Sequence, residues 1–527
     1  MKTLIIYPTT LFYSANLGDY DIIYVIEDPI YFTKHNYHKL KLLLHRSSMK
    51  YYYDFAVKKS KHVEYIDFFS ATGEWYKSIN STADKIYAYD SVNNELESKL
   101  SNIFNSNLTI LDSPQFLTTR DELSEYYDEH VLPNKMNDKS KKNSFSHGHF
   151  YKWQRRRLDV LMTKNGKPVS GKWTYDTVNR EKFPKGELPI YDYKARVKAA
   201  KDDHYIKEAK DYVTQHFANN YGSPDLCMFD YTPKMAEESL SDFLSRRFAS
   251  FGPYQDAVEP DIDVGFHSML SHSLNIGIIT PKYVLDKCLR AKVPIESLEG
   301  FIRQLIGWRE YVRLIYIYEG EKMRKANYWD AKNKLGEYWW SSNDYIYKYI
   351  KKDSAKVFDE NVVCADNEHI ILPLDVVLNK VYNISYAHHI ERLMYIGCIM
   401  FMLQVHPDEV YNWFMSCCSI DAYDWVMVPN IYGMSQNADF GTKNKMMKKP
   451  YFASANYVSK LSSYSKSSIW ASNWNSIYYL FLNNNSAKVK GASHFANFML
   501  SSFKKHESGN LSKHKKIFGK LKKHLIA

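Results

Sequence analysis

The chain is short of thiols where thiols would build a site. Its six cysteines are Cys227, Cys288, Cys364, Cys398, Cys417 and Cys418, and no two stand at a C-x-x-C spacing, so neither a zinc ribbon nor a dithiol motif is spelled out. Cysteines without a pairing pattern fit a reducing cytoplasm, which is the expected compartment. Long apolar runs are missing as well. No window reaches the roughly 18 uninterrupted apolar residues of a membrane span, and the opening MKTLIIYPTTLF has no small-residue cleavage site. A soluble, unexported monomer that makes no membrane contact is therefore expected. No G-x-G-x-x-G follows the first apolar run, which removes the usual dinucleotide fingerprint, and no internal repeat occurs.

What the chain has in surplus is positive charge and aromatic rings. Its 527 residues carry 70 Lys+Arg against 59 Asp+Glu, a formal charge of +11 that favours a polyanionic partner such as nucleic acid. Aromatics make up 16%, with 44 Tyr and 11 Trp, a supply of flat surfaces for stacking on ligands or bases. The length calls for two or three domains.

Residues 1–115 alternate short apolar runs with helical segments. Thr3–Tyr7, Ile22–Ile26, Val63–Ile66, Ile86–Tyr89 and Thr109–Leu111 read as strands, and Tyr37–Val57 and Asn94–Phe104 as helices. That alternation predicts a doubly wound α/β domain with a parallel sheet, whose ligands would sit at the carboxyl ends of the strands, near Tyr7, Pro8 and Glu27. Residues 116–230 loosen into a long linker, where Arg155, Arg156 and Arg157 form either a phosphate site or a solvated face. Residues 231–527 read as an all-α domain, punctuated at Thr232-Pro233, Gly252-Pro253, Thr280-Pro281 and His406-Pro407. The lysine-rich tail from Lys504 reads as a solvated helix rather than a specific DNA reader.

Three stretches carry chemistry. Between Phe251 and Pro281, Ser268 and Ser271 are small hydroxyls at a helix entry, the groups that satisfy a diphosphate without bulk. Between Gly300 and Tyr316, Gln304, Trp308 and Glu310 offer a stacking plane and polar ends, with Arg303, Arg309 and Arg313 beside them. Between Tyr386 and Tyr451 lie His388, His389, Arg392 and Trp413, then Asp421, Tyr423, Asp424, Trp425 and Asn430. Helical spacing puts His388 and Arg392 one turn apart, with His389 on an adjoining stripe.

Together FIRQLIGWREYVR, FHSMLSHSLNIG, YAHHIERLM, DAYDWVMVPNIYGMSQ and LHRSSMKYYYDF resemble the photolyase and cryptochrome superfamily, and more narrowly the prokaryotic (6-4) photolyases, also called iron-sulfur bacterial cryptochromes and photolyases. The resemblance implies an α/β antenna domain, a helical domain holding FAD, and light-driven electron donation to a pyrimidine lesion flipped out of UV-damaged DNA. It assigns flavin contacts to Tyr254, His267, Ser268, Leu270, Ser271, Asn275, Arg309, Arg392, Asp421 and Tyr423, with Arg392 and Asp421 as an ion pair beside the isoalloxazine. His388 and His389 match the tandem histidines, His389 facing the lesion as a proton donor. Tyr451 matches a lesion-side tyrosine, Gln304 and Trp308 fall to DNA, and Trp413 to the photoreduction path. A 6,7-dimethyl-8-ribityllumazine antenna would meet Glu27.

The sequence departs from that group at several places. Where three clustered cysteines of a [4Fe-4S] site are expected, it reads Ser465, Ser468 and Ser472, and the fourth place falls near Pro373; neutral hydroxyls do not replace thiolates, so no cluster is expected. Val357–Pro373 has no distal tryptophan, so the electron path would run from Trp413 to another aromatic. Met427 stands where relatives are expected to carry an acid, which leaves Mg²⁺ dependence to a residue such as Asp176. The activity expected is (6-4) photolyase, with a cryptochrome-like photoreceptor, a cyclobutane-dimer photolyase or a light-independent nucleic-acid-binding module as alternatives.

Overall fold

The computed structural model describes residues 1–132, 146–184, 191, 193–340, 371–418, 420–442 and 444–527. Five parallel strands form one sheet in the order β3-β2-β1-β4-β5, with β1 Lys2–Ile6, β2 Ile22–Ile26, β3 Val63–Ile66, β4 Lys85–Tyr89 and β5 Leu108–Leu111. Thr3 pairs with Ile22 on one side and Ile86 on the other, so β1 is central and covered on both faces. The strands lie where the alternation put them. The first ends at Ile6 because Tyr7 turns out of the ladder, its amide donating to Thr10 Oγ1 at 2.9 Å. The first long helix, Lys39–Val57, begins two residues later than expected because His38 Nδ1 caps it, accepting the Leu40 amide at 3.0 Å.

The stretch after the sheet contains helices Arg120–His130, His147–Arg157 and His204–His216. Arg120–His130 starts with a reciprocal Thr119–Glu122 capping box. The basic triplet is not one face. Arg155 is buried and donates to the carbonyls of Val160 and Trp173 at 3.2 and 3.0 Å, Arg157 reaches Glu122 at 2.6 Å, and Arg156 alone faces solvent. The segments 133–145, 185–190 and 341–370, which include Cys364 and most of Val357–Pro373, lie outside the described residues.

From Pro233 the chain is helical, as its caps predict: Thr232, Thr280 and His406 each open a helix with proline at its first turn. Gly252-Pro253 is the exception, lying within helix Phe248–Tyr254. Gly252 serves packing there: its amide bonds Ser297 Oγ at 2.9 Å, and a Cβ would come within 2.7 Å of the Glu296 and Ser297 backbone.

Buried ions tie the sheet to the helices. Arg313 reaches Asp90 at 2.7 Å with both side chains 1% exposed, and Arg120 grips the same carboxylate through two bonds of 2.8 Å. Burial alone would raise the Asp90 pKa; the two arginines hold it far below the usual carboxylate range.

Gly252→Ala is expected to cost about 1–3 kcal/mol of stability by overpacking. Gly519→Ala in helix Leu511–Leu525, with nothing within 4 Å of the new Cβ, should gain up to about 1 kcal/mol. Urea midpoints of the two variants check this, and equal midpoints would refute the close-approach account.

Candidate functional site

Helix Leu372–Ile384 stops at Ser385, which adopts φ 48°, and Tyr386, Ala387 and His388 run on without helical bonding. The tandem histidines thus sit at a helix entry rather than within a helix. His388 Nδ1 accepts the Ile390 amide at 3.3 Å, and the His388 amide donates to Glu391 Oε2 at 2.9 Å. Beyond them the helix widens into a π-type turn over Glu391–Gly397. Similar turns occur at Arg303–Trp308, Phe414–Cys418 and Pro429–Ser435, and such widenings are frequent at functional sites.

Arg392 pairs with Asp421 at 3.0 Å while its Nε donates to the Ala387 carbonyl at 2.5 Å. Burial would lower the Arg392 pKa, but Asp421 more than offsets it and the guanidinium stays charged. The Asp421 carbonyl accepts Asn275 Nδ2 at 3.2 Å, and the Asn275 side-chain oxygen is held by Arg309. Arg309 lies between the rings of Phe116 and Trp425, 5.0 and 4.8 Å from their centres. Burial and then the neighbouring Arg313 act on it, and its pKa falls to about 10 despite Glu310.

His267 and His388 lie with ring centres 4.7 Å apart. His267 Nε2 donates to the Gln255 carbonyl at 2.9 Å, which fixes its tautomer and leaves Nδ1 to accept from Tyr386 at 3.4 Å. Burial, followed by the positive charges around them, pushes His267 down to about 4 and His388 well below its ordinary value. His389 is exposed and faces Trp308 at 6.5 Å between ring centres. Its pKa nonetheless falls to about 4, first from the depth of protein around it and then from Arg392. Open surface at such depth marks a recess. Partly open Ser268, Ser271, Gln304 and Trp308 belong to the same three stretches, and Tyr254, half-buried, stacks on Phe266 at 5.3 Å.

Other assigned residues are closed off. Leu270, Asn275 and Tyr423 are buried, and the Tyr423 hydroxyl bonds His45 Nε2 at 2.8 Å with Lys41 4.4 Å above its ring. Tyr451 is half-buried. Glu27 accepts from Arg46 at 2.9 Å, Tyr65 at 2.6 Å, Phe68 N at 3.3 Å and Tyr212 at 2.7 Å. Those bonds fill the acceptor sites of a carboxylate, so a lumazine would reach Glu27 only by displacing one of them. Asp176 lies 3.4 Å from each of Arg180 and Arg303, and Met427 is buried. Ser465 bonds Ser467 at 2.7 Å, Ser468 precedes helix Ile469–Asn484 and Ser472 lies in its first turn, and Pro373 sits in the first turn of Leu372–Ile384.

Two functional candidates escaped the sequence. Trp413 is fully buried and donates from Nε1 to the Trp339 carbonyl at 2.8 Å, with the two rings 6.1 Å apart. Tyr338 follows 5.5 Å from Trp339, and Trp340 beside it is 41% exposed. Trp339 precedes the segment in which a distal tryptophan was sought, so only the fold reveals the line. Arg247 is 1% exposed, bonds Asp242 at 2.7 Å through Nη1, and leaves Nε and Nη2 without a hydrogen-bond partner. It lies near enough to His267 and Tyr386 to bias both their proton affinities. Buried, half-satisfied guanidinium donors fit an anionic group such as the diphosphate of a flavin dinucleotide.

The architecture is photolyase-like. An archaeal photolyase from Sulfolobus tokodaii, crystallised with two FAD molecules, aligns with a TM-score of 0.50 at 12% identity over 99% of this chain and 100% of that one. A Synechocystis cryptochrome aligns with a TM-score of 0.50 at 12% identity, over 88% of each chain. The profile of the deoxyribodipyrimidine photo-lyase-related protein family matches residues 6–229. The (6-4) photolyase of Agrobacterium fabrum is 32% identical over 370 residues, which cover 66% of this chain and 64% of that relative's length. The uncharacterized protein R852 of Acanthamoeba polyphaga mimivirus is 32% identical over 201 residues, 96% of its length and 35% of this chain. The chain thus shares a photolyase-like fold and is similar to photolyase-related proteins over part of its length, spanning less than two thirds of the Agrobacterium relative.

His267 and His388 are neutral at neutral pH in the folded protein, whereas an unfolded histidine titrates near about 6.5. The unfolded chain therefore takes up protons first, and the stability these rings leave intact above about pH 6.5 is withdrawn as pH falls towards about 4. Imidazole NMR titration should give neither ring a midpoint above about pH 5; a midpoint near the unfolded value would mean that the recess leaves them solvated.

Proposed function

We propose that the protein is a light-driven DNA repair enzyme, a (6-4) photolyase that uses reduced FAD to act on a flipped-out pyrimidine lesion in UV-damaged DNA. The observation that carries this reading is the juxtaposition of the exposed His389 with Trp308, with the Arg392–Asp421 pair near enough for Arg392 to act on His389. The similarity to an enzyme named (6-4) photolyase supports the lesion class. When bound, the flavin supplies the light-driven one-electron chemistry.

The chain's own residues do the rest. Ser268, Ser271 and Arg247 take the diphosphate, Arg247 supplying charge where its two donors lack partners. Arg392, kept cationic by Asp421, would give a bound flavin a fixed positive potential that favours negative charge on it. Gln304 and Trp308 meet the displaced strand, Trp308 as a stacking plane. His388, neutral and capped onto the following turn, orients its neighbour. His389 holds the proton that returns a hydroxyl or amine between the two rings of the lesion. It is unprotonated at neutral pH without DNA; the phosphates of bound DNA, being anionic, would raise its pKa and load the proton with substrate in place. Trp413, Trp339 and Tyr338 form the route by which an electron enters from the surface.

His389→Ala should keep flavin and its photoreduction while repair of a defined (6-4) oligonucleotide drops about 10² -fold or more; undiminished repair would overturn the proton-donor role. Trp339→Phe should slow light-driven bleaching of the oxidised flavin while leaving repair by chemically reduced protein unchanged. Bleaching at the parent rate would remove Trp339 from the path.

A further inference from the structure

The positive charge of the chain is concentrated at one end. Residues 440–527 hold sixteen lysines against the single acid Glu507, more than the whole +11 surplus, and no acidic residue occurs between Asp439 and Glu507. Helix His494–His506 within this stretch buries Ala496, Met499, Leu500 and Phe503. Its opposite side presents Phe495 and Phe498, 58% and 69% exposed, the two most exposed large apolar side chains among the described residues. Helical spacing extends that stripe through Ser502 to Lys505, both exposed. At its near end the exposed Lys449 ammonium lies 5.9 Å from the centre of the Phe495 ring and 5.7 Å from that of Tyr451.

Exposed phenyl rings are costly in water, and a stretch of sixteen lysines and one acid has little counter-charge of its own, Lys488 reaching Asp330 outside it. One class of partner satisfies both: a nucleic-acid strand, whose phosphates neutralise the ammonium groups and whose bases stack on the rings. We infer that the strip from Tyr451 across Lys449 to Phe495, Phe498 and Lys505 seats the DNA strand that flanks the lesion. The inference rests on the repair reading above and adds where the flanking strand lies. Contacts of this kind are independent of sequence, as a lesion-directed protein requires.

Fluorescence anisotropy with lesion-containing and undamaged single-stranded oligonucleotides over a salt series tests it. Phe495→Ala with Phe498→Ala should weaken binding about tenfold or more without changing the salt slope, and Phe495→Tyr with Phe498→Tyr should restore it. Lys449→Gln with Lys505→Gln should reduce the salt slope by about 0.7 per lysine. If the parent binds DNA and all variants match it in affinity and slope, the strip is not the strand seat, although the repair reading stands. If the alanine pair alters self-association or protein capture but not DNA binding, the face belongs to a protein partner and the inference falls. If the parent binds no DNA at low salt, both readings fall together.

Discussion

The ion pair between Arg392 and Asp421 is the constraint around which the molecule is arranged. A guanidinium taken out of water costs several kcal/mol unless paired and hydrogen-bonded, so the two segments that carry it must meet with little freedom. The pairing is relayed outward. Asn275 bonds the Asp421 carbonyl and is held by Arg309, while its own carbonyl accepts from Gln115, which also bonds the Thr9 carbonyl just beyond the first strand. One polar line therefore runs from Thr9, just beyond the central strand, to the Ala387 carbonyl that precedes the tandem histidines, so the sheet helps fix where they stand.

Cations gather around the histidines of this line, and two of these cations are paired with carboxylates, Arg392 with Asp421 and Lys380 with Glu391. Burial first, and then Lys380, Arg247 and Arg392 around His267, Lys380 and Arg392 around His388, and Arg392 beside His389, keep these three histidines neutral. Lys41 falls to about 7 by burial, with Asp421 pulling the other way. Arg247, with two donors lacking partners, is the cation of this group that would gain most from an anion.

Much of this was legible beforehand. Strands at Ile22–Ile26 and Val63–Ile66 are written as apolar runs bounded by polar turns, and Thr232-Pro233 or Thr280-Pro281 announce helix starts through local chemistry alone. What escaped depends on distant contacts. Gly252 looks like a breaker until Ser297 is seen against it, Arg155 looks solvated until Val160 and Trp173 close over it, and Trp339 becomes part of a ring series only when Trp413 folds beside it. The lone guanidinium of Arg247 has no signature in a run of Ser-Arg-Arg. The tandem histidines are the reverse case: residue type was readable, but their place at a helix entry follows from Ser385 taking a left-handed conformation.

The widened turns at Arg303–Trp308 and Glu391–Gly397 also bear on how such a protein can drift over generations. Each holds one residue more than a regular helix would need, and losing that residue would rotate everything downstream by about 100°. Deletions at these two places would swing indole or guanidinium out of line at a stroke, whereas a surface loop absorbs the same loss quietly. Descendants should therefore tolerate length changes in their connectors long before they tolerate one here.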